Sequence, residues 1–174
     1  MIGLKRHTVQ ITESHPDWAR LAEQICASIR QTCAELIADV EHAGSTSVPD
    51  MPAKPILDIA VAVSETDAMP ELKGKLAKIG CTYRGDVRES GEHLFVMEIA
   101  PDVRTAHIHL VSADSPRWFD YLRFRDIMRN NPGTRQQYVA LKRQLSDQYH
   151  NDRKTYTASK NHFIQSVLDG THWP

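Results

Sequence analysis

Apolar residues recur at helical spacing in five stretches of the chain, and in others they alternate or run unbroken as in strands. Trp18, Leu21, Ile25 and Ile29 share one helical face. They predict a first amphipathic helix to about Cys33, capped by Ser14 or Asp17 after the His15-Pro16-Asp17 turn. Met69, Leu72, Leu76 and Ile79 predict a helix over 66–79. Ser115-Pro116 starts another, marked by Trp118, Leu122, Arg125 and Met128 and ended by Asn131-Pro132-Gly133. Tyr138, Leu141, Leu145 and Tyr149 mark a fourth, and Tyr156, Phe163, Ile164, Val167 and Leu168 the last. Residues 8–12 and 36–40 read as short strands, and 93–99 and 106–111 as longer ones. Ile56 to Val63 is almost continuously apolar and β-branched, the pattern of a buried central strand. Pro49, Pro52 and Pro55 keep the stretch before it irregular. The order is a helix, a sheet with one inserted helix, then a helical segment over about 116–169. That order predicts an α+β or mixed α/β chain forming one domain.

Composition narrows the classes. The chain has 174 residues, 21 Lys plus Arg and 22 Asp plus Glu, hence a net charge of −1. No global basic field exists for coating nucleic acid, and no nucleic-acid-binding motif appears. The first residues lack the apolar core of a secretory signal, and the longest apolar run is too short to span a bilayer. Cys26, Cys33 and Cys81 are odd in number and lack CxxC spacing, so buried thiols are expected rather than a disulfide framework. A cytoplasmic protein without nucleic-acid or membrane partners is the expectation; the oligomeric state is open.

Chemistry gathers around Gly44-Ser45 and Asp58. A small turn after a strand exposes N–H groups and a hydroxyl that can hold phosphate oxygens. By itself a Gly-Ser pair also reads as a plain loop. An ionised Asp within Pro55-Ile56-Leu57-Asp58-Ile59-Ala60 is costly unless a metal, a cation or several donors meet it. His107 and His109 alternate with Ala106, Ile108 and Leu110. In a strand both imidazoles face one way, about 6.6 Å apart. They are metal ligands, acid/base partners of Asp58, or the polar face of an edge strand. Glu41 and His42 orient the turn or end a solvated strand. Thr46 and Ser47 add donors or cap a short helix. Lys54 is a candidate phosphate contact or a surface lysine, and Lys160 a candidate for phosphate or ion pairing. Arg125 lies on an apolar helical stripe, which suits pairing with a buried carboxylate such as Asp58 or facing an anionic ligand. It belongs to a basic supply with Arg84, Arg88, Arg104, Arg123 and Arg129, of which Arg123 and Arg129 are read as plain surface. Lys142-Arg143 and Arg153-Lys154 are read as solvated faces. Of the nine histidines, His7, His15, His93, His150, His162 and His172 are assigned to surface or local structure.

Glu41-His42-Ala43-Gly44-Ser45-Thr46-Ser47-Val48-Pro49, followed by Pro52-Ala53-Lys54-Pro55-Ile56-Leu57-Asp58-Ile59, closely resembles the signature of the GrpB-like family. Arg104-Thr105-Ala106-His107-Ile108-His109-Leu110, Leu122-Arg123-Phe124-Arg125-Asp126 and Tyr156 with Lys160 and Phe163-Ile164 fit it too. The resemblance spans about residues 9–169. It implies the fold of the nucleotidyltransferase superfamily of the DNA polymerase β type, a mixed sheet flanked by helices. Domains of this kind also occur fused to dephospho-CoA kinases. Gly44-Ser45 then matches the turn that embraces a triphosphate, with Ser45, Asp58 and His109 as catalytic candidates. Asp58 matches the first carboxylate of an Asp-x-Asp metal pair, but Ala60 stands where the second belongs. Glu98, His107 or His109 would complete the shell. The implied cofactors are a divalent metal, Mg2+ or Mn2+ with Zn2+ suited to the imidazoles, and ATP or another nucleoside triphosphate as co-substrate. The implied reaction is nucleotidyl or phosphoryl transfer to a small acceptor. The alternatives are a degenerate nucleotide- or anion-binding module, and a metal-dependent enzyme built on the His-x-His strand.

Overall fold

The apolar run forms strand β3 (Leu57–Val63), buried throughout except at Asp58. β3 pairs antiparallel with β2 (Ile37–Ala43) on one side and parallel with β6 (Val103–Ser112) on the other. β5 (His93–Ala100) continues antiparallel from β6, and β4 (Thr82–Asp86) closes that side. β1 (Leu4–Lys5) pairs with the Val103–Arg104 end of β6. In this computed structural model, residues 2–64, 68–87 and 90–171 are described, and among them the sheet has six strands in the order β2-β3-β6-β5-β4, with β1 beside β6.

One face of the sheet carries Ile59, Val61, Val63, Ile108 and Leu110. They pack with Ala22, Cys26 and Ile29 of α1 (Asp17–Cys33) and Leu72 and Leu76 of α2 (Met69–Lys78). Each large aliphatic side chain fully buried here contributes about 1.5–3 kcal/mol. The opposite face presents Ala60, Ala62 and Val111, and these small residues admit Trp118 of α3 (Pro116–Asn130). Two further helices complete that side, α4 (Pro132–Gln148) and α5 (Arg153–Leu168). Phe124 of α3 meets Tyr138 of α4 edge to face, and Tyr138 stacks on Phe163 of α5, with centroids 5.2 and 5.1 Å apart. Side chains of Ser115, Asn131 and Asp152 cap the three helices by accepting from N–H groups of their first turns.

Several expectations need correction. Residues 8–12 form no strand: only Thr12 bridges, to Ala53, while Val9 N–H is spent on the His150 carbonyl. Neither Ser14 nor Asp17 caps α1, which begins after Pro16 with no side-chain cap. β2 runs on past Val40 to Ala43, because Glu41 and His42 stay in the ladder opposite Ala60 and Ile59. β4 escapes the apolar pattern because Thr82-Tyr83-Arg84-Gly85-Asp86 is polar and its register shifts between Tyr83 and Gly85. Residues 66–67 of the predicted second helix, Arg88 and His172 lie outside the described residues. No helix among the described residues is long and apolar enough to cross a membrane.

Candidate functional site

The turn after β2 is shaped around Asp58. Gly44 has φ 66° and ψ −169°, a conformation essentially reserved for glycine. A Cβ there would lie 2.5 Å from Asp58 Oδ2. Ser45–Ser47 then form a single 3-10 turn, closed by Ser47 Oγ donating to the Gly44 carbonyl at 2.6 Å. His42 Nε2 meets Thr46 Oγ1 at 2.9 Å. α3 clamps this turn from outside. Arg125 reaches Glu41 at 2.7 Å and the His42 carbonyl at 3.2 Å, and Arg129 donates to the Ser47 carbonyl at 2.8 Å.

Parallel pairing of β3 with β6 sets Asp58 opposite His107 and Ala60 opposite His109. All four therefore face the side covered by α3. His107 Nδ1 lies 3.2 Å and His109 Nε2 3.5 Å from Asp58 Oδ1. The other nitrogen of His109 donates to Glu92 at 2.8 Å, and Arg153 Nη2 stands 3.3 Å from His107 Nε2. Glu92 also accepts from the Tyr121 hydroxyl at 2.7 Å and Arg117 Nε at 2.9 Å. Burial alone would raise the Asp58 pKa, but hydrogen bonds from the two histidines hold it well below the usual carboxylate range. Burial likewise opposes a charged His109, yet its bonds to Asp58 and Glu92 prevail and raise its pKa, so the ring stays protonated. For His107 burial prevails and pushes the value down to about 4, so this ring is neutral.

Cations line the other wall. Lys142 of α4 is 2% exposed, yet its Nζ donates to the Pro52 carbonyl at 2.5 Å and to Ser45 Oγ at 3.2 Å. Lys54 and Lys160 lie 5.2 and 4.9 Å from the centre of the Tyr156 ring. Burial, then the charges of Lys160 and Arg153, pushes Lys54 down to about 7. Burial and neighbouring lysines also hold Lys142 well below the usual lysine range, and burial depresses Lys160. These groups enclose a cavity of about 250 Å³ between the Gly44-Ser45 turn, the Asp58-His107-His109 cluster and α5. Lys54, Lys142, Lys160, Arg153 and Arg117 face it, with Asp58 and Asp120 as its carboxylates. Such a wall suits an anionic ligand.

Of the residues singled out in the sequence, Gly44, Ser45, Thr46, Lys54, Asp58, His107, His109 and Lys160 line this cavity. Ser47 does not, since its hydroxyl closes its own turn. Glu41 and His42 lie behind the turn. Arg125 pairs with Glu41 and Asp126 rather than Asp58, because α3 carries it over β2 and not β3. Glu98 is turned to Arg84 and Arg104 and is no part of the Asp58 cluster. Arg129 and Arg123 are not plain surface: they hold the Ser47 and Leu168 carbonyls. Lys142 and Arg153, read as solvated, face the cavity instead. Sequence reasoning passed over Glu92, Arg117 and Tyr121 altogether. Lys142 did carry a signal, for it stands four residues after Tyr138 and three before Leu145, inside an apolar stripe.

Asp58, His107 and His109 each offer one ligand atom, all within 4.8 Å of one another. One carboxylate with two imidazoles suits a single ion of the Mn2+ or Zn2+ kind. It does not suit a pair of Mg2+ ions, which would need oxygen where Ala60 stands.

The domain is a mixed sheet with helices on both faces and a Gly-Ser turn set against a strand carboxylate. The chain belongs to the GrpB protein family, which it matches over residues 8–170. It is 26% identical to the glutamate-rich protein GrpB of Alkalihalophilus pseudofirmus, over 97% of this chain and 99% of that protein. It is 36% identical to a UPF0157 protein of Streptomyces coelicolor, over 86% of this chain and 78% of that one. The crystal structure of the conserved protein GrpB from Enterococcus faecalis superposes with a TM-score of 0.83 at 32% identity, covering 92% of this chain and 96% of that chain.

Proposed function

We propose that this protein binds the phosphate chain of a nucleoside triphosphate at the Gly44-Ser45 turn and transfers a nucleotidyl or phosphoryl group to a small acceptor. The observation that carries this reading is Lys142. A lysine from α4 is buried at the cost of depressing its pKa, and it is delivered to Ser45 Oγ, 97 residues away in the chain. The Pro52 carbonyl takes one of its donors, and a phosphate at the turn would take up the remaining donor capacity and favour the charge. Ser45, Lys142, Lys54 and Lys160 would hold phosphate oxygens, and Arg153 would neutralise further charge. A cavity of about 250 Å³ is smaller than a whole nucleotide requires, so the phosphates sit inside and the base at the mouth. Asp58, His107 and His109 would hold one divalent ion, which when bound supplies charge neutralisation on the transferring group.

Calorimetry with ATP and Mn2+ tests the reading. Binding of both is the expected result, with ATP affinity weakened in Lys142→Met and Mn2+ binding lost in Asp58→Asn. Absence of binding by the folded wild type removes the proposal. Ala60, fully buried between Glu41 and His109 in the sheet, favours a second reading as a nucleotide- or anion-binding module without catalysis. Turnover that disappears in Asp58→Asn decides for the enzyme; binding without turnover of any acceptor decides for the module.

A further inference from the structure

Glu92 is a buried carboxylate, 6% exposed, immediately before β5, and neither phosphate binding nor metal ligation uses it. Its two oxygens meet three donors. Oε1 takes His109 Nδ1 at 2.8 Å and the Tyr121 hydroxyl at 2.7 Å, and Oε2 takes Arg117 Nε at 2.9 Å. Arg117 and Tyr121 stand four apart on α3, so one face of this carboxylate is tied to a helix while the other meets a strand. The Tyr121 ring also lies against the His109 ring, centroids 5.3 Å apart at 40°. His109 is thus held at its back nitrogen and along its face. Its second nitrogen, Nε2, points to Asp58, 3.5 Å away in the cavity.

We infer that Glu92 is a positioning residue: by accepting from Nδ1 it fixes the His109 ring with Nε2 directed at Asp58 and whatever Asp58 binds. A histidine ring without such an anchor can turn about its Cβ–Cγ bond and present carbon in place of nitrogen. A carboxylate behind an imidazole locks orientation and tautomer and strengthens the opposite nitrogen as a ligand. The inference rests on the reading of Asp58 and His109 as part of a ligand site. A purely structural role, tethering α3 to the sheet, is the competing account and makes different predictions.

The test combines imidazole nitrogen NMR of the metal-free protein with Mn2+ titration. Wild type shows a hydrogen-bonded His109 Nδ1–H, Glu92→Gln a weakened one, and Glu92→Ala none. Mn2+ affinity falls by about 10–100-fold in Glu92→Ala and by less in Glu92→Gln, which keeps the shape and an acceptor. Tyr121→Phe, which keeps the ring against His109 and removes only one donor on the α3 side of the carboxylate, keeps Mn2+ affinity near wild type while lowering the Tm. If it weakens Mn2+ binding as much as Glu92→Ala does, the role is a tether and the inference fails. It fails equally if Glu92→Ala retains the Nδ1–H signature. Should Glu92→Ala not fold, Glu92→Gln decides, since unchanged NMR and unchanged affinity overturn the proposal. Should wild type take up no Mn2+, the metal reading falls by itself and the NMR signature alone decides on Glu92.

Discussion

Arg153 and the metal face of His107 exclude each other. A guanidinium only donates, so Nε2 of His107 must accept from Arg153 at 3.3 Å, and the neutral ring carries its proton on Nδ1, toward Asp58. An ion on Nδ1 needs a proton on Nε2, directed into the Arg153 donors. An ion on Nε2 takes the place of Arg153 outright. Either arrangement requires Arg153 to let go of the ring, and an incoming phosphate is a better partner for it. Arg153→Ala is therefore expected to raise Mn2+ affinity without nucleotide by about tenfold, the equivalent of one charge-assisted hydrogen bond. Pyrophosphate added to wild type should strengthen Mn2+ binding, and this synergy should vanish in the variant. Calorimetry measures both, and unchanged Mn2+ affinity in Arg153→Ala contradicts the exclusion.

Gly44→Ala separates strain from site damage. Alanine at φ 66° costs about 1–3 kcal/mol, which lowers the Tm by about 2–4 °C for each kcal/mol in a chain of this size. Its Cβ also strikes Asp58 Oδ2, so Mn2+ and ATP binding should be lost. Gly80→Ala is the control. It has φ +83° and nothing within 4 Å of its Cβ, so it should lose stability and keep binding. Equal binding in both variants, read by calorimetry beside thermal melts, refutes the assignment of Gly44.

Lys142→Met keeps the packed length of the side chain and deletes the charge. The Pro52 carbonyl loses a donor, at about 1–3 kcal/mol, while the cost of burying an amine disappears, so the melting temperature should move little. ATP affinity should fall by about 10–100-fold, the range for a hydrogen bond between charged groups. A variant that melts normally and binds ATP normally would show that Lys142 serves the Pro52 carbonyl and nothing else.

Lys54 sets a pH signature. Its folded value is about 7, below the unfolded 10.5, because it is buried beside Lys160 and Arg153. Between those values the unfolded chain binds more protons, so stability rises with pH from about 7 toward 10.5. The penalty for the buried charge is complete below about pH 7. A phosphate ligand favours the ammonium and reverses the shift, so ATP binding at pH 8–9 should take up a proton. Titrations in buffers of different ionisation enthalpy count that proton. Lys54→Met should lower the uptake, leaving only what Lys142 and Lys160 contribute, and an uptake of zero in wild type rejects the role.

The sequence made the fold legible where burial is one-sided or complete. The run from Ile56 to Val63 announced β3, observed over Leu57–Val63, and Trp18 with Ile25 and Ile29 announced α1, since their patterns are set by the face they bury. It failed at β4, whose alternation is hidden by Gly85. Within the site, the Ala106-His107-Ile108-His109-Leu110 alternation was enough to put both imidazoles on one face. Partner choice was not legible. Arg125 looked suited to a buried carboxylate and found Glu41, because which strand lies beneath α3 depends on how that helix docks. Glu92 and Arg153 were missed for the same reason: neither lies near the motif in the chain, and no local period marks a side chain that is placed by tertiary contact.

Arg153, Tyr156 and Lys160 occupy positions three and seven residues apart on α5 and meet the cavity together. A chain cut after Tyr149 would keep every strand, the Gly44 turn and the Asp58 cluster, yet leave the cavity without one of its walls. The piece of this protein that completes the cavity is therefore longer than the piece that completes its sheet, and the final helix is what makes up the difference.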